Sequence, residues 1–457
     1  MTNFTKALSD SDRRYAFHPV TRLAEHAETG GRVWLEGRGV HLQDMERAWS
    51  IDGFSGLWCV NAGYGQTRIV DAITRQLEKL PYGTSFFSYA NEPSILLAER
   101  LAEITPESVT RSFFTLGGSD AVDTALKLIR NYFISRGEPD RINVIALQRG
   151  YHGASFLGAG VTGLAAYHQP FGLPFAFQHH IPSHYMYRNP AGDDPKAVIE
   201  KSVEDLNRKI DELGEHTVAA FFCEPIQGSG GVIVPPSGWL HAMQDLCRRR
   251  GVLFVIDEVI TGFGRTGPMF ASELENLMPD ALILAKGLTS AYVPMGACVV
   301  SEDIFQTIMD GAGRDAYFTH GFTYSGHPVA AAAALAAIDI YESELLDNVR
   351  KVAPAFLQRL HSLRNDPLVG DTRGVGLLGA AELVADKEAR TPFSPELRLD
   401  RVVAGAASRH KVIFRTFTDG TLGFAPALCI SEEEINVLFD RVELVLDDVR
   451  RHLRGGT

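Results

Sequence analysis

The sequence predicts an α/β protein organised around a parallel or mostly parallel sheet, followed by a smaller α+β region. Three observations predict it. Between about residues 63 and 310, mostly continuous apolar runs recur at 143–147, 218–223, 252–256, 281–285 and 297–300. Amphipathic helical patterns, such as 205–213 and 239–249, lie between several of them. Runs that are apolar on both faces and separated by helices need cover on both sides, which a parallel sheet provides. Outside that zone the pattern changes. Short strand-like runs at 32–35, 39–42 and 48–51 alternate with turn residues, as in a hairpin layer. From about residue 345 onward, amphipathic helices bracket short strands near 377–384 and 412–415.

The bulk properties exclude several classes. A chain of 457 residues suits two or three domains, and 45% apolar with 22% charged residues is an ordinary globular balance. The net charge of −12 argues against nucleic acid or an anionic membrane as partner. The five cysteines, Cys59, Cys223, Cys247, Cys298 and Cys429, are scattered and form no CxxC pair, so neither disulfides nor a metal site is expected. They read as small buried hydrophobes in a reducing compartment. The N-terminal stretch lacks the apolar core of a signal peptide, and the alanine-rich run 329–338 is too short to span a bilayer. A cytoplasmic protein is the expectation.

In open sheets, ligands collect beyond the carboxyl ends of the strands, so polar residues there are candidates for chemistry. Lys286 ends the run Ala-Leu-Ile-Leu-Ala-Lys. Among apolar groups its ammonium is disfavoured and the free amine gains nucleophilicity, as a Schiff-base lysine requires. Read alone, it also fits a solvated lysine capping a strand. Asp257 closes the preceding run, Leu-Phe-Val-Ile-Asp. A carboxylate there calls for a cationic partner, such as a protonated pyridine nitrogen, or else serves as a helix cap or in a surface ion pair. Gly117-Gly118-Ser119-Asp120 opens an amphipathic helix whose free N–H groups could hold an anion, although an ordinary helix start looks the same. Gly150-Tyr151-His152-Gly153 could lay Tyr151 flat on a planar heterocycle, or form a simple glycine-bounded turn.

Together the fragments Gly-Gly-Ser-Asp-Ala, Gly-Tyr-His-Gly, Glu-Pro-Ile-Gln-Gly, Asp-Glu-Val-Ile-Thr-Gly-Phe-Gly-Arg-Thr-Gly, Ala-Lys-Gly-Leu and Phe-Thr-Tyr-Ser-Gly-His-Pro resemble the class III aminotransferases, from about Trp58 to the C-terminus. That resemblance implies the pyridoxal 5'-phosphate (PLP) transferase fold of type I. It implies a large cofactor-binding domain at residues 63–330 with a mostly parallel seven-stranded sheet, and a smaller α+β domain built from residues 1–62 and 331–457. It further implies that Lys286 carries the cofactor as a Schiff base and shuttles the reacting proton, and that Asp257 binds the pyridinium nitrogen. Tyr151 and Ile260 would cover the ring faces, and Gly118 and Ser119 would hold the phosphate together with Thr323 of a second copy. Glu224 would orient its neighbours. A homodimer with shared sites, or a tetramer built from it, is expected.

Three positions point to a subgroup. Ala154 stands where the 2-oxoglutarate-using relatives in the resembled family carry an arginine, so a dicarboxylate acceptor lacks a bidentate partner. Ser229 replaces a glutamate that neutralises an active-site arginine in those relatives. Arg415 resembles the mobile arginine of ω-amine:pyruvate transaminases, and Trp58, Phe86 and Phe87 their aromatic pocket walls. For the aromatics core packing, and for Arg415 a surface ion pair, are the competing readings. The expectation is an amine or ω-amino acid donor and pyruvate as acceptor, reacting by a ping-pong scheme. A 2-oxoglutarate acceptor, or a decarboxylase, racemase or aminomutase of the same fold, stays open. The fragment Gly374-Val-Gly376-Leu-Leu-Gly379 fits a dinucleotide fingerprint but runs into a strand pattern, so an NAD dehydrogenase is set aside.

Overall fold

The computed structural model describes residues 3–313 and 317–455. Its centre is a seven-stranded sheet, whose strands we number along the chain: β1 (Arg111–Thr115), β2 (Asn143–Leu147), β3 (Gln178–Ile181), β4 (Val218–Cys223), β5 (Leu253–Asp257), β6 (Ala281–Leu284) and β7 (Gly296–Val300). The order across the sheet is β1-β7-β6-β5-β4-β2-β3. Only β7 runs against its neighbours, pairing antiparallel with both β1 and β6, while β2 to β6 pair in parallel. The mostly parallel sheet is as expected, and β4 to β7 are buried along their whole length.

Strands β1 and β3 escaped the sequence reading. Both are edge strands, and their sequences, Arg-Ser-Phe-Phe-Thr and Gln-His-His-Ile, carry polar residues because an edge is only half covered. The helix expected at 205–213 begins earlier, at Pro195, behind an Asp194 side chain that accepts the Lys196 N–H. The alanine-rich run is helix Pro328–Ile340, buried against helices Thr67–Lys79 and Glu92–Ile104.

Two four-stranded sheets flank this core. The N-terminal strands Trp34–Arg38, His41–Asp44 and Trp49–Asp52 form an antiparallel layer, and Val412–Ile413 joins its edge in parallel. The second sheet holds Val369–Val375, Leu378–Leu383, Thr421–Phe424 and Arg415–Thr416. The single strand expected at 412–415 is therefore two, each serving a different sheet, with the chain switching at the buried Phe414. The glycine fingerprint at 374–379 is a hairpin turn whose Gly376 has φ +60°, which removes the dinucleotide reading on structural grounds. No helix among the described residues is long and apolar enough to cross a membrane.

Candidate active site

The carboxyl ends of β2, β4, β5 and β6 open on one cavity of about 310 Å³. Its wall includes Gly118, Ser119, Tyr151, His152, Glu224, Asp257, Ile260 and Lys286. Residues far apart in sequence meet there because parallel strands all deliver their following loops to the same edge.

Lys286 stands just beyond the end of β6, separated from it by Ala285, with φ of +43°. A non-glycine residue in that region costs roughly 1–3 kcal/mol and is retained where its surroundings dictate it. Here the strained backbone brings Nζ to 6.0 Å from the centre of the Trp58 ring. Burial pushes the ammonium below its ordinary pKa, against the opposing pull of Asp257, Cys59 and Glu224. The result is an amine more readily free of its proton near neutrality than a surface lysine.

Asp257 is 5% exposed. Its Oδ1 accepts the Val259 N–H at 3.0 Å, and its Oδ2 lies 2.9 Å from His152 Nδ1. This buried histidine is a partner that the sequence reading passed over, although it sits inside the quoted Gly-Tyr-His-Gly fragment. Burial disfavours charge on His152, but the hydrogen bond and charge of Asp257 outweigh it and raise the histidine pKa. The Asp257 carboxylate is thereby held from one side by the His152 ring and lines the cavity on the other. The available signal was the pairing of two strand-end loops, which no local pattern contains.

Glu224 lies just past β4 and touches backbone. Its two oxygens accept the N–H groups of Tyr151 and Gly228, each at 2.9 Å. Burial, with repulsion from Asp257, lifts its carboxyl to about 7 despite the favourable His152 charge. It thereby fixes the tyrosine loop, where Tyr151 packs edge-on against Tyr167 at 5.4 Å between centroids.

Helix Gly118–Ser135 starts at the cavity with no side chain capping its first turn. Its free N–H groups and the Ser119 hydroxyl, which accepts the Ala154 N–H at 3.0 Å, face the cavity as groups that could cradle an anion. Gly153 closes the cradle with φ +115°, and a Cβ there would sit 2.7 Å from Ser119 Oγ and 2.8 Å from Ser119 Cα. Gly153→Ala is expected to distort both loops and weaken cofactor binding roughly ten- to hundred-fold. Titration of the cofactor-free protein with PLP measures this, and affinity equal to wild type would contradict the cradle.

Other sequence candidates lie at or beyond the rim. Trp58 is buried beside the cavity, 5.3 Å from Phe54 and 6.2 Å from Phe417 between ring centres. Arg415 stacks on Phe417 with Cζ 5.3 Å from its centre and makes no ion pair among the described residues. Phe86, Phe87 and Thr323 do not line the cavity of the single chain. Phe87 is 78% exposed and Thr323 is exposed, and their loops are tied by Tyr82 Oη–H donating to the Thr323 carbonyl at 2.8 Å. Cys59 departs from the expectation of a buried hydrophobe: it is half-buried and lines the cavity, as Cys429 is half-buried elsewhere.

Comparison with known proteins gives the same chemistry a family. The model of the Aminotransferase class-III family matches residues 25–446. The chain is 39% identical over 437 residues to a putrescine–pyruvate aminotransferase of Pseudomonas aeruginosa, covering 95% of this chain and 94% of that one. It is 37% identical over 453 residues to a diaminobutyrate–2-oxoglutarate transaminase of Halomonas elongata, covering 97% and 96%. Among solved structures, a thermostable (S)-enantioselective omega-transaminase from Thermomicrobium roseum superposes with a TM-score of 0.94 at 39% identity, covering 97% and 98%. The residues present fit PLP. An amine able to meet an aldehyde, a buried carboxylate able to hold a protonated ring nitrogen and an uncapped helix start able to hold a phosphate all face one cavity. The chain belongs to the class III aminotransferases, PLP-dependent transaminases of fold type I.

Proposed function

We propose that this transaminase moves an amino group from an ω-amino acid or primary amine to pyruvate by a ping-pong reaction. The observation that carries the reading is the convergence of Lys286, Asp257 and the Gly118–Ser119 helix start on one cavity. Bound PLP supplies an electron sink and carries the amino group between the two halves of the reaction.

In this reading Lys286 Nζ anchors the cofactor and then takes and returns the substrate's reacting proton, a task suited to its lowered pKa. Asp257 accepts a hydrogen bond from the ring nitrogen and keeps that proton in place, with His152 balancing its charge. Tyr151 and Ile260 confine the ring faces. Gly118 and Ser119 hold the phosphate, and Thr323 of a second copy completes the cradle. Glu224 keeps the tyrosine loop in position through two backbone N–H groups.

The acceptor assignment rests on Arg415. An arginine with no carboxylate partner among the described residues, next to an aromatic wall of Phe417 and Trp58, suits a single carboxylate on a small keto acid. Ala154 offers no second cationic clamp for a distal carboxylate, and Ser229 supplies no carboxylate to neutralise an arginine. A dicarboxylate acceptor is the second reading, favoured by the 2-oxoglutarate-named relative. Enzyme preloaded with a donor amine and mixed with pyruvate or 2-oxoglutarate decides between them. We expect faster turnover with pyruvate; faster turnover with 2-oxoglutarate would overturn the assignment.

Homodimerisation is part of the proposal. Tyr82, Phe87, Tyr89 and Tyr324 are exposed on the loops that carry Phe86 and Thr323, and an aromatic surface of this kind suits a partner. A second copy there would bring Thr323, Phe86 and Phe87 to the neighbouring cavity. Residues 1–62 and 331–457 would form one small domain beside the cofactor-binding domain 63–330. The parallel pairing of Trp49–Asp52 with Val412–Ile413 supports that division.

A further inference from the structure

The N-terminal helix Asn3–Tyr15 and the short helix Leu23–Thr29 fold back on each other, and the latter buries no side chain. A seven-residue helix that buries no side chain of its own needs another source of order. Asp12, His18 and His26 converge at its centre, their nearest ligand atoms all within 4.8 Å of one another. Asp12 Oδ1 lies 2.6 Å from His18 Nε2, and Asp12 Oδ2 lies 3.4 Å from His26 Nε2. The two imidazole rings are 4.4 Å apart between centres.

Two further observations point to a ligand. His26 Nε2 is buried and has no hydrogen-bond partner, because its approach to Asp12 is too poorly directed to be one. Such an atom is costly unless something binds it. In addition, Gly31 faces the cluster: a Cβ there would sit 3.2 Å from Asp12 Oδ2, 3.6 Å from His26 Cε1 and 3.9 Å from His18 Cε1. A side chain at position 31 would press on all three groups, and glycine avoids that contact. The Gly31 N–H meanwhile donates to Asp12 Oδ2 at 3.0 Å and holds the carboxylate in place.

We propose that Asp12, His18 and His26 form a binding site for a divalent transition metal, zinc above all, which staples the N-terminal hairpin. Two imidazole nitrogens and one carboxylate oxygen suit zinc rather than calcium or magnesium, which prefer all-oxygen sets. In a tetrahedral zinc site with bonds near 2.0–2.1 Å the ligand atoms stand about 3.3 Å apart. The observed spacings reach that value with small side-chain shifts. Water takes the fourth position on the half-exposed His18 side. The spacing of positions 12, 18 and 26 matches no metal motif, because the ligands come from a helix, a turn and a second helix.

The test uses tag-free holoenzyme stripped of metal and titrated with zinc chloride in a calorimeter. We expect one zinc per chain with micromolar or tighter affinity, and slower protease cleavage between the two helices when zinc is present. His26→Gln removes a ligand. Asp12→Asn keeps the size of the side chain and an oxygen acceptor for Gly31, so it preserves the hairpin while removing the charge. Each is expected to weaken binding at least about a hundredfold with transamination unchanged. Wild-type protein that takes up no zinc, or variants that take it up as wild type does, would overturn the proposal.

Discussion

Lys286→Ala is expected to abolish transamination and covalent cofactor attachment while leaving a folded chain. Lys286 stands at the mouth of the sheet, its backbone in the left-handed region and its amine in a cavity shared with Asp257 and Glu224. Nothing else in that wall can do both of its tasks. Cys59 also lines the cavity, but burial raises its thiol pKa, which leaves it a poor nucleophile. Truncation to alanine removes a partly buried cation and relieves none of the packing in β6, so thermal stability should change little. Borohydride treatment followed by mass measurement gives the decisive readout. Wild-type protein should retain the cofactor irreversibly and the variant should not. Turnover by the variant within about a hundredfold of wild type would remove Lys286 from the chemistry.

Asp257→Asn carries the second largest expected effect, a fall in kcat of about two to four powers of ten. Asparagine has the same shape and can still accept the Val259 N–H, so the loop after β5 should keep its course. What disappears is the negative charge. His152 then lies fully buried beside a neutral amide, and the support that Asp257 gives its protonated form is lost. A ring nitrogen facing the amide loses the same support, and with it the electron demand on which proton removal depends. Cofactor should still attach through Lys286, which separates this variant from the first. Single-turnover rates with a donor amine, alongside the amount of bound cofactor, test the claim. A rate within about tenfold of wild type at full cofactor loading would show that the carboxylate's charge is not needed.

Much of this site is legible in the sequence because its residues follow buried parallel strands. Such strands must be apolar on both faces, so Asp257, the last residue of β5, and Lys286, just past β6, stand out as polar. The same rule hides the sheet's edges. β1 and β3 are half-covered, and their polar residues break the pattern. His152 was visible as part of a fragment, but its role depends on the loop after β2 meeting the end of β5 across β4. Arg265 is similar: it is wholly buried and held by Ser55, Asn61 and the carbonyls of Leu377 and Pro426, with no carboxylate partner among the described residues. Burial lowers its pKa to about 10, and its partners come from remote parts of the chain.

The sequence by itself determined the kind of sheet, the lysine and carboxylate at its mouth and the glycine-serine helix start. The lysine and carboxylate stand out by periodicity and by what a buried strand end can tolerate, the helix start by glycines ahead of an amphipathic pattern; these are local properties, and the family resemblance joins them into one chemistry. Only the tertiary structure decided that Asp257 is held by His152, that the Trp58 ring lies near both Phe417 and Lys286, and that Asp12, His18 and His26 meet beside Gly31. Those are contacts between segments that chain order does not bring together. They exist because folding returns separate loops to one place, and no window of sequence contains that return.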